Sequence, residues 1–477
     1  MQSGERKRIA IACQGGGSHT SFTAGALKGL LARGHEKYDF VAFSGTSGGA
    51  VCALLAWYAL LERGAGEAGA REAGRLLDGF WLRDNAATDL PERLLNDWLV
   101  GWMRWQKATG VLIEGSPNAF SDYWQRRLRR SLERNVLFER IDERLVTPVS
   151  PMLFIGAVDV LSGEFKVFKS HRRRPGEPSW VFNDEPGDGI GVEAVLASAA
   201  IPPIFRAVRI GERVYWDGLF SQNPPIRELL DARPDEVWVI QINPSRMAPR
   251  PWSPRPGDEP ASVVDVMDRR NALAGNISLN QELHYVEKIN ELVQELGEGE
   301  RPRDRRLRLK NGKEYRPVVL RRIEMSWPLG AASKLDRNPA FIRRMMAYGE
   351  ERAGELFAAL AFERTWASRD PRAVAGLFTG DAEIHLERPL FGEHSTYQGR
   401  REIEQFARRY LAGDESVRLD LTRKQVAGET VTWTVKVSPQ HSGGTEPRPT
   451  EGTAEAVFER ERVRKLTFSP NPPDSHR

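Results

Sequence analysis

The chain has 477 residues, 40% of them apolar, enough for two or three domains with real cores at about 150 residues each. Its 69 Lys and Arg nearly cancel its 65 Asp and Glu, and a formal charge of +4 argues against a dedicated nucleic-acid binder while leaving a mild preference for anionic surfaces. Two cysteines exclude a disulfide framework, and no apolar run approaches the roughly 18 residues of a membrane span, so a soluble, cytoplasmic protein without a secretory leader is expected.

Residues 8–13 (RIAIAC) predict a buried strand, Gln14 to Ser18 (QGGGS) a glycine loop, and Thr20 to Ala32 a helix with Phe22, Ala26, Leu27 and Leu30 on one face. Glycines let backbone N–H groups converge, and the helix N-terminus adds partial positive charge. Gly15 to Gly17 could therefore hold a phosphate or a developing oxyanion. The next unit, Asp39 to Leu55 (DFVAFSGTSGGAVCALL), decides between them. An apolar run ends in Gly45-Thr46-Ser47-Gly48-Gly49 and passes directly into a helical pattern, which places Ser47 on a sharp strand-to-helix turn, the nucleophile elbow pattern. Gly45 and Gly49 give the small neighbours that such a turn needs. A dinucleotide-binding unit would have an acidic residue at the end of this strand, where Ser44 and the Ser47 turn lie, so an oxyanion hole facing Ser47 is the better fit.

From Leu60 to Ile141 the chain is helical and rich in tryptophan, with Trp98, Trp102 and Trp105 at i, i+4 and i+7. Such a face suits either a cap packed over the core or a lid that touches lipid. Strands return at Met152 to Val160 and Phe165 to Phe168, turning about Ser162-Gly163. The small-residue helix in EAVLASAAIPPIFR (193–206) is stopped by Pro202-Pro203, and a short strand, Val214 to Trp216, delivers Asp217-Gly218-Leu219 and then Asn223-Pro224-Pro225. In isolation the Asp-Gly pair reads as a plain turn. Further on come a strand at Val237 to Ile242, a proline-rich loop at Pro249 to Pro260, a helix from Val264 to Leu296, a strand near Pro317 to Met325 and a helix from Pro339 to Ala359.

Four stretches taken together, GGGSH at Gly15 to His19, GTSGG at Gly45 to Gly49, ASAAIPPIF at Ala197 to Phe205 and DGLFSQNPP at Asp217 to Pro225, resemble the patatin-like phospholipases in order and spacing. The resemblance spans about residues 6–360 and implies a three-layer α/β/α hydrolase domain. It makes Ser47 the nucleophile and Asp217 its only partner, with the N–H groups of Gly15, Gly16 and Gly17 as the oxyanion hole. It implies no metal and no organic cofactor, and a lipid or other acyl-ester substrate; peripheral membrane contact would fall to the tryptophan face. The chain departs from the family pattern at His19, where Arg or Lys is frequent, and at Leu219, where a second glycine is frequent. A Ser-His-Asp triad drawing on His284 has the chain order of an α/β-hydrolase, but only one strand precedes that of Ser47, and His284 reads as one residue of an amphipathic helix. Two rival functions stay open on the same fold: a non-catalytic lipid or ligand binder, and an esterase for storage polyesters or acyl thioesters.

The character of the chain changes at Ala361. Helices, one of them at Gly399 to Ala412, are followed by three alternating strands, Val417 to Val426, Thr430 to Val437 and Thr453 to Phe468. With GDAEIHLERP and YQGRREIEQFARRYL, residues 361–470 resemble the small α+β cone of the SnoaL-like, nuclear transport factor 2-like fold. That resemblance implies a ligand-binding or dimerising role, with His385 and Glu387 the polar pair to examine and strand residues facing solvent the plainer account. Residues 471–477 are expected to be a flexible tail.

Overall fold

The computed structural model describes residues 6–110, 121–141, 145–171, 189–202, 204–244, 259–260, 262–299, 304–310, 312–327, 329–387, 395–411, 416–427, 430–438, 450–459 and 461–470. Most of the proline-rich loop and the C-terminal tail lie outside these residues. The chain forms two units, one of residues 1–318 and 325–350, the other of residues 319–324 and 351–477.

In the first unit β1 (Lys7–Cys13) lies between β2 (Tyr38–Gly45) and a strand from much later in the chain, Glu236–Gln241, and pairs parallel with both. β2 in turn pairs parallel with β3 (Met152–Asp159), which carries β4 (Phe165–Lys169) antiparallel along it. β5 (Val208–Ile210) and β6 (Arg213–Asp217) complete this sheet, and Glu236–Gln241 is β7. The core strands are near-continuous apolar runs because both faces are covered, as parallel strands require. α1 (Ser21–Gly34) and α2 (Gly48–Arg63) follow β1 and β2 directly, and Phe22, Ala26, Leu27 and Leu30 are all buried. This α/β arrangement positions the site at the strand ends where β1 and β2 pass into their helices.

One detail of the sheet brings distant residues together. β4 occupies one edge of β3 from Phe154 to Val158, so β2 and β6 must share the other. β2 uses it as far as Ile155, opposite Gly45, and β6 takes it from Ala157, opposite Asp217. The C-terminal end of β6 therefore arrives just where the chain leaves β2 for the elbow.

The remaining helices of this unit are α3 (Glu67–Asp78), α4 (Leu90–Thr109), α5 (Ser121–Asn135), α6 (Val192–Ser198), α7 (Val263–Leu296) and the short α8 (Ala331–Lys334). β8 (Leu307–Arg308) and β9 (Glu314–Tyr315) make a separate small hairpin.

The second unit holds β10 (Val319–Glu324), most of the long helix α9 (Pro339–Ala367), α10 (Pro371–Gly376), β11 (Phe378–Leu386), β12 (Ser395–Gln398), α11 (Gly399–Tyr410) and four strands, β13 (Ser416–Ala427), β14 (Thr430–Ser438), β15 (Thr450–Glu459) and β16 (Arg462–Pro470). The order across its sheet is β12, β11, β16, β15, β14, β13, β10. Two expectations are corrected. The helix from Pro339 does not stop at Ala359 but runs to Ala367, since nothing in ELFAALAFERTWA breaks it. The single strand expected over Thr453 to Phe468 is two, reversed where Glu461 takes φ of 67°; the turn hides in FERERVRK because it uses no glycine or asparagine.

The core of this unit is aromatic: Phe362, Trp366, Phe378, Phe406, Trp433 and Phe468 are buried against one another. Among them a buried ion pair joins Arg321 of β10 to Glu363 of α9 at 3.1 Å, and the indole N–H of Trp433 donates to the same carboxylate at 3.1 Å.

Candidate active site

Ser47 is the hinge between β2 and α2, with φ of 57° and ψ of −130°, one of four non-glycine residues with positive φ among the described residues. Strain of this kind costs roughly 1–3 kcal/mol and survives only where the surroundings hold it. Here they do so on two sides. A side chain on Gly49 would meet the Cys13 carbonyl oxygen at 2.1 Å, and one on Gly15 would come within 2.7 Å of the Ser47 Cβ, so both must be glycine for the glycine loop, the elbow and the start of α2 to approach this closely. The N–H of Ser47 donates to the Ser198 hydroxyl at 3.0 Å, and that hydroxyl donates to the Gly156 carbonyl at 2.6 Å. Thr46 is tied down as well, its hydroxyl donating to the Gln222 carbonyl at 2.6 Å.

Asp217 is buried at the end of β6, its carboxylate accepting the Leu219 N–H at 2.8 Å, with the Ser47 hydroxyl close enough to act on its charge. Loss of water raises its pKa from an ordinary 3.8 to about 7, and the Ser47 hydroxyl and the Leu219 N–H only partly offset that rise. A half-buried serine thus stands beside a carboxylate basic enough to take a proton near neutral pH.

The glycine loop stands beside this pair, although its three N–H groups are not equivalent. That of Gly15 donates to the side-chain oxygen of Asn223 at 2.8 Å, and that of Gly16 to the Thr20 hydroxyl at 3.1 Å. Among the described residues the N–H groups of Gly17, which is exposed, and of Gly48, at the first turn of α2, meet no acceptor. The buried side chain of Gln14 fixes the root of the loop, accepting the N–H groups of Ile242 and Asn243, each at 3.0 Å.

Residues 11–230, which contain every one of these groups except Ile242 and Asn243, match the family described as patatin-like phospholipase, and residues 359–465 match the SnoaL-like domain. The chain carries a patatin-like phospholipase domain followed by a SnoaL-like domain. Solved structures similar to it each cover about a quarter of its length. A nuclear transport factor 2-like protein of unknown function from Mesorhizobium loti is 16% identical, covering 25% of this chain and 92% of its own with a TM-score of 0.21. One from Burkholderia pseudomallei, also of unknown function, is 16% identical, with 25% and 91% covered and a TM-score of 0.21. A hypothetical protein with a ketosteroid isomerase-like fold from Catenulispora acidiphila is 18% identical, with 24% and 83% covered and a TM-score of 0.20. No curated protein matches the chain.

The patatin-like domain supports lipid acyl hydrolase chemistry in general terms. Its three-layer fold brings Ser47, Asp217, Gly45, Gly49 and the glycine loop to one place. His284 is exposed on α7, 3.9 Å from Glu287. His19 is buried, bonded through Nε2 to the Ser333 hydroxyl at 2.8 Å, and burial reinforced by nearby Lys334 lowers its pKa from 6.5 to about 3. It is a neutral brace between the glycine loop and α8, not a cation for an oxyanion. Cys13 and Cys52 are free and buried, Cys52 accepting the Trp81 indole N–H at 3.3 Å.

Three positioning residues escaped sequence reasoning. Ser198 lies within ASAAIPPIF and Asn223 within DGLFSQNPP, so the segments were singled out but not the side chains; Gln14 directly precedes the glycines. A buried polar residue inside each apolar or small-residue run was the available signal. In the SnoaL-like domain His385 bonds Glu383 at 2.9 Å and Thr396 at 3.2 Å, so its partner is Glu383 and not Glu387. The alternation of β11 makes either neighbour possible, since both lie two residues away on the same face.

Among the described residues, no helix is long and apolar enough to cross a membrane.

Proposed function

We propose that the patatin-like domain is a serine acyl-ester hydrolase of the phospholipase A type that works with two residues, Ser47 as nucleophile and Asp217 as base. The observation that carries this reading is the strained Ser47 at the elbow beside the buried carboxylate of Asp217, whose pKa is lifted to about 7. Asp217 accepts the hydroxyl proton as Ser47 Oγ bonds to the acyl carbon. The carbonyl oxygen, now negative, lies toward the unclaimed N–H groups of Gly17 and Gly48, while Gly15 and Gly16 shape the loop that presents them. Collapse of the tetrahedral species breaks the ester C–O bond, and the proton on Asp217 passes to the departing alkoxide. Water then enters, gives its proton to Asp217, attacks the acyl-serine and releases the fatty acid as Ser47 recovers its proton. The Ser47 N–H, held by Ser198, fixes the backbone of the elbow from which the hydroxyl projects.

Labelling with a fluorophosphonate probe tests the assignment, with Ser47→Ala and Asp217→Asn alongside and esters of increasing acyl length as substrates. We expect labelling of the wild type, none of Ser47→Ala and strongly reduced labelling of Asp217→Asn. A well-folded wild type that is not labelled would instead support the non-catalytic, lipid-binding reading.

A further inference from the structure

Helix α4 turns a large apolar strip outward. Its side toward the protein mixes polar and apolar residues: Asn96, Val100 and Gln106 are buried, and Glu92, Leu99, Met103 and Lys107 partly so. The amide of Asn96 accepts the Arg337 N–H at 2.8 Å and donates to Asp336 at 3.2 Å, Glu92 pairs with Arg127, and Lys107 pairs with Asp265 at 2.9 Å. The side toward solvent holds an apolar strip, with Leu90, Leu94, Trp98 and Trp105 exposed by 68, 62, 57 and 45%. Trp102 joins the two tryptophans into a stack, with ring centroids 6.1 and 5.1 Å apart and planes within 19° of parallel. A surface helix ordinarily keeps such an apolar strip against the core. Polar anchors hold α4 to the domain so that a preformed aromatic shelf can face outward.

We infer that this shelf docks the domain on a lipid bilayer containing anionic lipid, which deepens the acyl-ester reading of the Ser47 site by making the substrate membrane-resident, and rests on that reading. Charge selects the occupant. Arg93 and Arg104 are exposed along one border of the apolar strip, with Asp97 between them. Beside α4, reached through the Arg127–Glu92 pair, α5 exposes Arg126, Arg130 and Arg134. Exposed indoles flanked by arginines match the headgroup boundary of an anionic membrane, where aromatic rings settle and cations meet phosphate. Placement agrees. α4 packs on α8, whose Lys334 carbonyl abuts Gly17, and on α7, whose Gly275 abuts Leu219 beside Asp217. The two helices that carry the shelf therefore also wall the glycine loop and the Asp217 turn.

The test is sedimentation of the full chain as Ser47→Ala, which spares the lipid, with phosphatidylcholine vesicles made with and without phosphatidylglycerol. We expect binding that strengthens with phosphatidylglycerol and falls about tenfold in a Trp98→Ser/Trp105→Ser variant. Activity of that double variant, with Ser47 present, should fall on vesicle substrate and hold on a soluble short-chain ester. Equal vesicle binding by both forms overturns the inference, as does a concentration-dependent dimer that the double variant abolishes. Should the double variant fail to fold, quenching of wild-type tryptophan emission by lipids brominated in their acyl chains supports docking, and unquenched emission overturns it. Vesicle binding without hydrolysis of any ester leaves the docking intact and removes the hydrolase reading.

Discussion

The hydroxyl of Ser198 accepts the backbone N–H of Ser47 at 3.0 Å and donates its own O–H to the carbonyl of Gly156, so a residue 151 positions away holds the strained turn. Removing it as Ser198→Ala leaves a buried N–H without a partner, at a cost of about 1–3 kcal/mol in stability. We expect kcat on a soluble ester to fall about tenfold, corresponding to ~1.4 kcal/mol of lost positioning, with KM nearly unchanged. Steady-state kinetics beside a thermal melt would check this; an unaltered kcat would assign the elbow's geometry to its glycine contacts alone.

Asp217 links activity to pH and opposes stability. Its folded pKa, about 7, lies above the ordinary 3.8, so between these values the unfolded chain gives up a proton that the folded chain keeps. Stability from this group falls as pH rises from near 4 to near 7 and stays lost above. Asp217→Asn is therefore expected to stabilise the chain at pH 8 by on the order of a few kcal/mol, an advantage that disappears toward pH 4. The same substitution should lower kcat by on the order of a hundredfold or more. In the wild type kcat/KM should climb with pH through a midpoint near 7. Melts and rate profiles across that range read all three.

His19 has the opposite sign. Its folded pKa, about 3, lies below the ordinary 6.5, so the unfolded chain binds the extra proton first as the medium is acidified. Stability is full above about pH 6.5 and is lost progressively toward pH 3. With His19→Gln, whose amide can still reach Ser333, the melting temperature should depend less on pH over this interval, and most esterase activity should remain at pH 8. Loss of activity in a folded His19→Gln would assign the imidazole a part in the reaction.

In the SnoaL-like unit, Arg321 and Glu363 depend on each other. Both are buried, and Arg321 sits on β10, a strand that precedes the family match by some 40 residues and pairs parallel with β13. Arg321→Ala should destabilise this unit by about 3–5 kcal/mol by leaving the carboxylate uncompensated, whereas Arg321→Met with Glu363→Leu should recover most of the loss. Denaturant unfolding of the full chain would resolve this transition. A fragment of residues 361–470 lacks β10 and should behave as the single Arg321 variant does, or worse.

What could be read from the sequence is local. Ser47 was legible because the steric demands of an elbow must be met by its immediate neighbours, and Gly45 and Gly49 meet them. That Asp217 reaches Ser47 was implied by resemblance, and no spacing rule could have given it, because it depends on β2 and β6 dividing one edge of β3. Periodicity revealed the tryptophan face of α4 but not its direction, since a 3.6-residue repeat looks the same whichever side faces the core. The outward choice is made by Asn96, Glu92 and Lys107, whose partners Asp336, Arg127 and Asp265 come from three other parts of the chain. β10 escaped notice as part of the second unit for a similar reason: its partner β13 lies about a hundred residues on.

The seven residues from Asp217 to Asn223 hold the proposed base at one end and, at the other, the amide that grips Gly15. The carboxylate of Asp217 and the glycine loop are thus two ends of one short strut, itself pinned along its length by Ser221 and Gln222. Such a strut leaves little room for the two halves of the reaction centre to drift apart during turnover. It also confines adaptation: a lineage exploring new acyl groups could remodel the walls around the strut, but a change within it would disturb proton transfer and charge stabilisation together.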